Sequence, residues 1–367
     1  MKNKKELRLR WPFRILIVLI GVTIVVSAYY PIRSIYKLCM HNYSFDTSLK
    51  VYKDGNYSYL MNREYNKLTD LYYGSKDYKK ENMDYYMKLN FIEKDNYLAN
   101  VNKLLEKGYS VDDINIIYSK LSDKFIDRLT KEYIFDIIKY IEIDYFKEEN
   151  YERYLKYFNG NYQKTVLYVN IGLDKEWYQD PNTVNEFSTT ILVNKFNQLK
   201  EGFEVPEIVS ISKDFSDGET YLTKEAADAF ENMARDAKKE GYDIWANSAY
   251  RDHDRQQRLW DYYLKQYGKA YNEKYVARPG FSEHETGLAV DIKSLHNSIF
   301  KNSKEYKWVL NNGYKYGFIH RYPSTKVDIT GISTESWHFR YVGVDIATYI
   351  YKNNLCYEEY YAMFLDK

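Results

Sequence analysis

The chemistry-bearing residues of this chain concentrate in two short stretches, SEHETGLAVD at 282–291 and ESWHFRY at 335–341. His284 and Asp291 lie seven positions apart. A helix would place them on one face, but Gly287 and the β-branched Thr286, Val290 and Ile292 oppose helix. A straight strand would hold them roughly 23 Å apart, too far to share an ion. The pair meets only if the chain turns at Gly287 and a strand follows over 288–292. Ala289 and Asp291 then share one face, with Leu288, Val290 and Ile292 on the other. A carboxylate beside the core needs a partner or a metal.

Among six histidines, His338 is the best placed to complete such a site. His41 and His253 stand in polar surroundings, His296 in a loop-like stretch, and His320 after a glycine-aromatic pair. His338 falls on a strand pattern, facing away from Trp337 and Phe339, with Glu335 three residues upstream. His284, Asp291 and His338 would give a two-histidine, one-carboxylate set with one open position, suited to a catalytic zinc. The helical HExxH arrangement is absent, since Leu288 follows His284 by four. From these residues alone, a metal triad and a set of satisfied structural side chains stand level.

The elements that must position these groups come from a mixed pattern after residue 160. Strand-like runs are expected over 164–171, 242–248, 288–293, 317–322 and 337–342, with helices near 223–239, 252–267 and 345–353. This predicts an α+β domain over 161–367, a small, largely antiparallel sheet with flanking helices carrying the zinc site. Residues 31–160 read as short, closely punctuated helices, with a stop at Gly108 and starts at Ser110 and Ser122. LNFIEKDNY at 89–97 resembles IDYFKEENY at 143–151, an offset of 54 consistent with helical repeats.

At the N-terminus Lys2, Lys4, Lys5, Arg8, Arg10 and Arg14 oppose a single acid, Glu6, and an uncharged apolar run follows. That order is an export signal with its basic side in the cytoplasm. Val26-Ser27-Ala28 would serve for cleavage, but Trp11 and Tyr29-Tyr30 bracket the run as interfacial aromatics and favour an uncleaved, single-pass anchor within 1–30. The rest of the chain would then work outside the cytoplasm. With 53 basic and 52 acidic side chains and no further basic block, no nucleic-acid partner is expected. Cys39 and Cys356 show no metal spacing.

SxHxxGxAxD (282–291) followed by ExxH (335–338) resembles the zinc D-alanyl-D-alanine carboxypeptidases of the VanY type. SAYRDHDRQ at 248–256 is similar to their SGYRSxxxQ segment, and the likeness covers roughly 165–360. The chain departs from the pattern at Ala249 and Ser336, where glycine and proline are common; neither change removes a functional group. The resemblance implies one zinc ion on His284, Asp291 and His338, Glu335 as the base, and Arg251 facing the developing oxyanion. It also implies Gln256 and Ser282 as contacts to the terminal residue of the substrate. Asp252, His253 and Arg278 are left as solvated surface. The implied substrate is the D-Ala-D-Ala end of a peptidoglycan stem pentapeptide, trimmed at the cell wall by a membrane-anchored enzyme. Two alternatives remain: an L,D-carboxypeptidase or endopeptidase of the same fold, and a non-catalytic wall-binding or sensor protein. The second predicts a damaged catalytic set, and every member is present. A protein partner of the helical region is left open.

Overall fold

The computed structural model describes residues 11–90, 92 and 94–366. Two compact units divide at residue 142, Met1–Glu142 and Ile143–Lys367. The basic flank at 1–10 lies outside the described residues, as do 91 and 93 of the repeat-like stretch.

The N-terminal unit opens with the helix Trp11–Met40, whose segment Phe13–Met40 is long and apolar enough to cross a membrane. Short helices follow, several with an identifiable cap: Ser44, Asn66, Ser110 and Ser122 at starts, Gly55 and Gly108 at stops. The Ser110 hydroxyl accepts from the Asp113 N–H while the Ser110 N–H donates to the Asp113 carboxylate, closing a capping box. Buried tyrosines, among them Tyr72, Tyr73, Tyr86 and Tyr140, fill space that aliphatic side chains usually occupy.

One hydrogen-bond pattern occurs twice. The Lys79 N–H donates to the Tyr86 hydroxyl, and Asn102 Oδ1 accepts from both Tyr86 and Asn82. Asn102 Nδ2 then donates to the Asp77 carbonyl. In the C-terminal unit the same bonds join Lys147 to Tyr154, Tyr154 and Asn150 to Asn170, and Asn170 to the Tyr145 carbonyl, every residue 68 positions on. The repeat is therefore carried by a few spaced Tyr and Asn residues, and its offset differs from the 54 that local sequence similarity suggests.

The run 164–171 forms a helix, Tyr162–Ile171, in place of the expected strand. Asn161 caps the Lys164 N–H and Gly172 ends the helix in the left-handed region, so the caps outweigh the β-branched content. Val166 and Val169, three apart, face inward.

The C-terminal unit is built on an antiparallel sheet of β5 (Ile244–Ser248), β6 (Ala289–Ser294), β7 (Phe318–Tyr322) and β8 (Glu335–Tyr341), in the order β5-β6-β8-β7. Two small pairs accompany it: β1 (Asn182–Val184) with β2 (Asn197–Leu199), parallel, and β3 (Ile208–Ser210) with β4 (Tyr221–Thr223), antiparallel. The helix Lys224–Lys239 buries Ala227, Phe230, Met233, Ala234 and Ala237 in one core with Leu288, Val290, Ile292, Phe318 and Phe339. Thr223 precedes that helix, but its side chain makes no capping bond. After the helix Val344–Asn353, the last one expected, the chain continues into a further helix, Tyr357–Phe364. Cys39 and Cys356 are both free thiols.

Candidate active site

A short 3-10 turn, Glu283–Thr286, carries His284, and Gly287 ends it at φ +70°, reversing the chain into β6. His284 Nδ1 lies 2.7 Å from the Ala249 carbonyl, which can only accept, so Nδ1 holds the proton and Nε2 keeps its lone pair. Asp291 and His338 are paired residues of β6 and β8. Asp291 Oδ1 lies 3.4 Å from His284 Nε2 and 3.4 Å from His338 Nδ1. One donor atom from each of the three residues falls within 4.8 Å of the others.

Asp291 Oδ1 is buried and makes no hydrogen bond among the described residues. An orphaned carboxylate oxygen between two imidazole nitrogens is an unfavourable arrangement that a cation would satisfy. The donor set fits zinc.

Burial works against the Asp291 charge, but His284 and His338 together hold the carboxyl well below its usual range. Burial, with Arg251 adding to it, pushes His284 down to about 4, so its ring is neutral at pH 7. His338 behaves oppositely. Burial would lower it, yet the Asp291 and Glu283 carboxylates push it up to about 9.

Glu335 opens β8 and is buried, with Oε2 3.6 Å from His338 Nδ1. Regular alternation would place these two on opposite faces. The pairing register slips between His320 and Tyr322, which allows the approach. Burial pushes the Glu335 carboxyl up to about 7, with His338 opposing and Asp291 adding. A carboxyl poised there can take and return a proton near neutral pH.

Arg251 donates its backbone N–H to the His284 carbonyl, and its Nε is buried with no hydrogen-bond partner among the described residues. Gln256 is buried, donates Nε2 to the Ala277 carbonyl at 2.8 Å, and leaves Oε1 unpartnered. Both line, with Ser282, Glu335 and the three candidate ligands, one cleft of about 250 Å³. Tyr263, Tyr271, Tyr275 and Trp337 also line it, and nothing in the sequence had marked them.

The residues assigned to solvated surface divide. Asp252 caps the helix His253–Tyr267 by accepting from the Arg255 N–H, and exposed His253 lies 3.0 Å from Glu285. Arg278 is half-buried, stacked 3.8 Å over the Tyr178 ring and paired with Glu273, so it is a packed side chain.

Glu283 is the residue that sequence reasoning passed over. Its Oε2 lies 3.2 Å from His338 Nε2, while Oε1 accepts from Arg321 and Arg340. Burial opposes its charge, but the two guanidinium groups hold the carboxyl well below its usual range. Glu283 therefore only accepts, which puts the proton on His338 Nε2 and turns Nδ1 toward Asp291. The available signal was position: a carboxylate directly before a candidate ligand, on a turn too tight for both side chains to face solvent.

Two histidines and an aspartate converging on a cleft beside a buried glutamate define a metallopeptidase-like centre on an α+β scaffold. The family model for VanY, D-alanyl-D-alanine carboxypeptidase, matches residues 219–344. The chain is 41% identical over 205 residues to the putative carboxypeptidase YodJ of Bacillus subtilis (strain 168), covering 52% of this chain and 75% of that protein. It is 40% identical over 181 residues to the bifunctional D-Ala-D-Ala dipeptidase and D-Ala-D-Ala carboxypeptidase VanXYC of Enterococcus gallinarum, covering 47% and 94%. A crystal structure of a point mutant of the vancomycin resistance D,D-pentapeptidase VanY from the VanB-type cassette, in complex with Zn(II), is 36% identical, with TM-score 0.42 and coverage of 47% of this chain and 98% of that one. This chain belongs to the VanY family.

Proposed function

We propose that the protein is a zinc-dependent D-alanyl-D-alanine carboxypeptidase that removes the terminal D-Ala from peptidoglycan stem pentapeptides. One observation carries the reading: Asp291 Oδ1, buried and without a hydrogen bond among the described residues, lies 3.4 Å from an imidazole nitrogen of each of His284 and His338. Family membership supports the same conclusion. His284 through Nε2, His338 through Nδ1 and Asp291 would hold one zinc ion. Zinc bound there supplies a Lewis acid for the scissile carbonyl and lowers the pKa of water.

The chain's own groups do the rest. Glu335, outside the ligand set, accepts the proton of the attacking water and returns it to the departing amine. Arg251, with a buried Nε free to donate, faces the oxygen on which negative charge develops. Gln256 Oε1 and Ser282 contact the terminal residue from the same cleft. The apolar helix Phe13–Met40 would anchor the enzyme in the membrane with this cleft on the wall side.

The test compares full-length protein on stem pentapeptide and tetrapeptide, with and without chelator. Metal-dependent alanine release from the pentapeptide alone is expected. Release from the tetrapeptide alone would assign L,D specificity instead, and release from neither would refute a carboxypeptidase.

A further inference from the structure

The side chains of Glu283, Arg321, Arg340 and Glu358 are 0% exposed and form one connected group. Glu358, on the C-terminal helix Tyr357–Phe364, accepts a two-pronged contact from Arg321, at 2.9 Å from Nη1 and 2.6 Å from Nη2. Arg321 Nε donates to Glu283 Oε1 at 2.8 Å, and Arg340 Nη1 donates to the same oxygen at 3.0 Å. The remaining Arg340 donors end on the carbonyls of Tyr341, Ile191 and Thr189. Asn194 Nδ2 donates to Glu358 Oε1 at 3.1 Å. Two acids and two guanidinium groups balance, and the one carboxylate oxygen facing the cleft side, Glu283 Oε2, meets His338 Nε2.

Enclosed ion groups give little net stability over apolar packing of the same volume, because desolvation offsets their attraction. This group instead provides direction. A two-pronged arginine contact is planar and rigid, so the position of Glu358 is passed to Arg321 and from there to Glu283. The orienting partner of a metal-binding histidine fixes both its tautomer and its ring.

We propose that Glu358 is a positioning residue of the metal site, acting through Arg321 and Glu283 to hold the His338 ring with Nδ1 toward Asp291. The inference rests on His284, Asp291 and His338 being the metal ligands. Its consequence is that the C-terminal helix, which contributes no residue to the cleft, sets metal affinity. Glu359, the next residue, provides the control. It pairs with Lys326 and accepts from the Cys356 N–H, so it secures the same helix without touching the group.

The experiment uses full-length protein in detergent, reading zinc affinity by chelator competition and ligand geometry by the visible spectrum of the Co(II)-substituted form. Glu358→Gln should weaken zinc binding by about 10–100-fold and shift the Co(II) bands. Glu359→Gln should leave both as in the wild type. Unchanged affinity and spectrum in Glu358→Gln, or an equal loss in both variants, would overturn the proposal. If Glu358→Gln does not fold, the zinc-loaded wild type decides by nitrogen-15 NMR. A His338 Nε2 proton in slow exchange with water supports the proposal, and fast exchange overturns it. A wild type that binds neither metal refutes the underlying ligand assignment instead.

Discussion

Asp291 and His338 face each other across β6 and β8, with Asp291 Oδ1 3.4 Å from His338 Nδ1 and no hydrogen bond between them. Two strands in fixed register thus bring an unsatisfied acceptor and an imidazole nitrogen together without a flexible loop. Asp291→Asn keeps the shape and removes the charge. Its zinc affinity should fall by more than the roughly 10–100-fold that outer partners of metal ligands cost. Metal analysis after gel filtration checks this, and full zinc retention would exclude Asp291 as a ligand.

Glu335→Gln should reduce kcat by about 10²–10⁴-fold, the usual contribution of a proton-transferring side chain, with zinc content unchanged. Equal loss of zinc and activity would make Glu335 a ligand, and full activity would remove it from the mechanism.

Arg251→Met should lower kcat/KM by about 10²–10³-fold, the effect of losing one donor to a developing oxyanion. Zinc affinity should persist, because the Arg251 side chain makes no hydrogen bond to the three candidate ligands among the described residues and the substitution keeps its backbone N–H on the His284 carbonyl.

Zinc binding should release protons. His338, pushed up to about 9 without metal, is protonated at pH 7.5–8.5, roughly the window below that value. A ligating imidazole must be neutral, so apparent zinc affinity should rise about tenfold per pH unit there. His284, pushed down to about 4, has no proton to give in that range. Calorimetry in buffers of different ionisation enthalpy reads the number released. A value near zero would contradict the assigned state of His338.

Gly287→Ala should destabilise the fold by about 1–3 kcal/mol, because φ is +70° and the new Cβ would meet Thr223 Cγ2 at 3.2 Å. Thermal unfolding of the metal-free protein measures the cost. The same change should weaken zinc binding, since Gly287 turns His284 toward Asp291.

The turn at Gly287 and the strand after it were legible because each follows from a local rule, whereas His338 was only a candidate on its strand pattern and joined His284 and Asp291 through the motif resemblance. Glycine permits the reversal, alternation sets the face, and a strand aspartate beside the core needs a partner. Glu283 was not legible, because its value depends on Arg321 and Arg340, which reach it only through the pairing of β7 with β8. The helix at 162–171 departs from its strand-like composition because the Asn161 and Gly172 caps outweigh the β-branched content. The duplicated Tyr-Asn bonds escaped notice because a few residues spaced over 25 positions leave little local similarity.

The central claim is that one metal ion on His284, Asp291 and His338 makes this a D-alanine-releasing enzyme. The most direct measurement titrates zinc into metal-free, full-length protein while following D-alanine release from stem pentapeptide. Release should rise linearly and level off at one equivalent. Release that is already maximal without zinc, or that never appears at any zinc level, would contradict the claim.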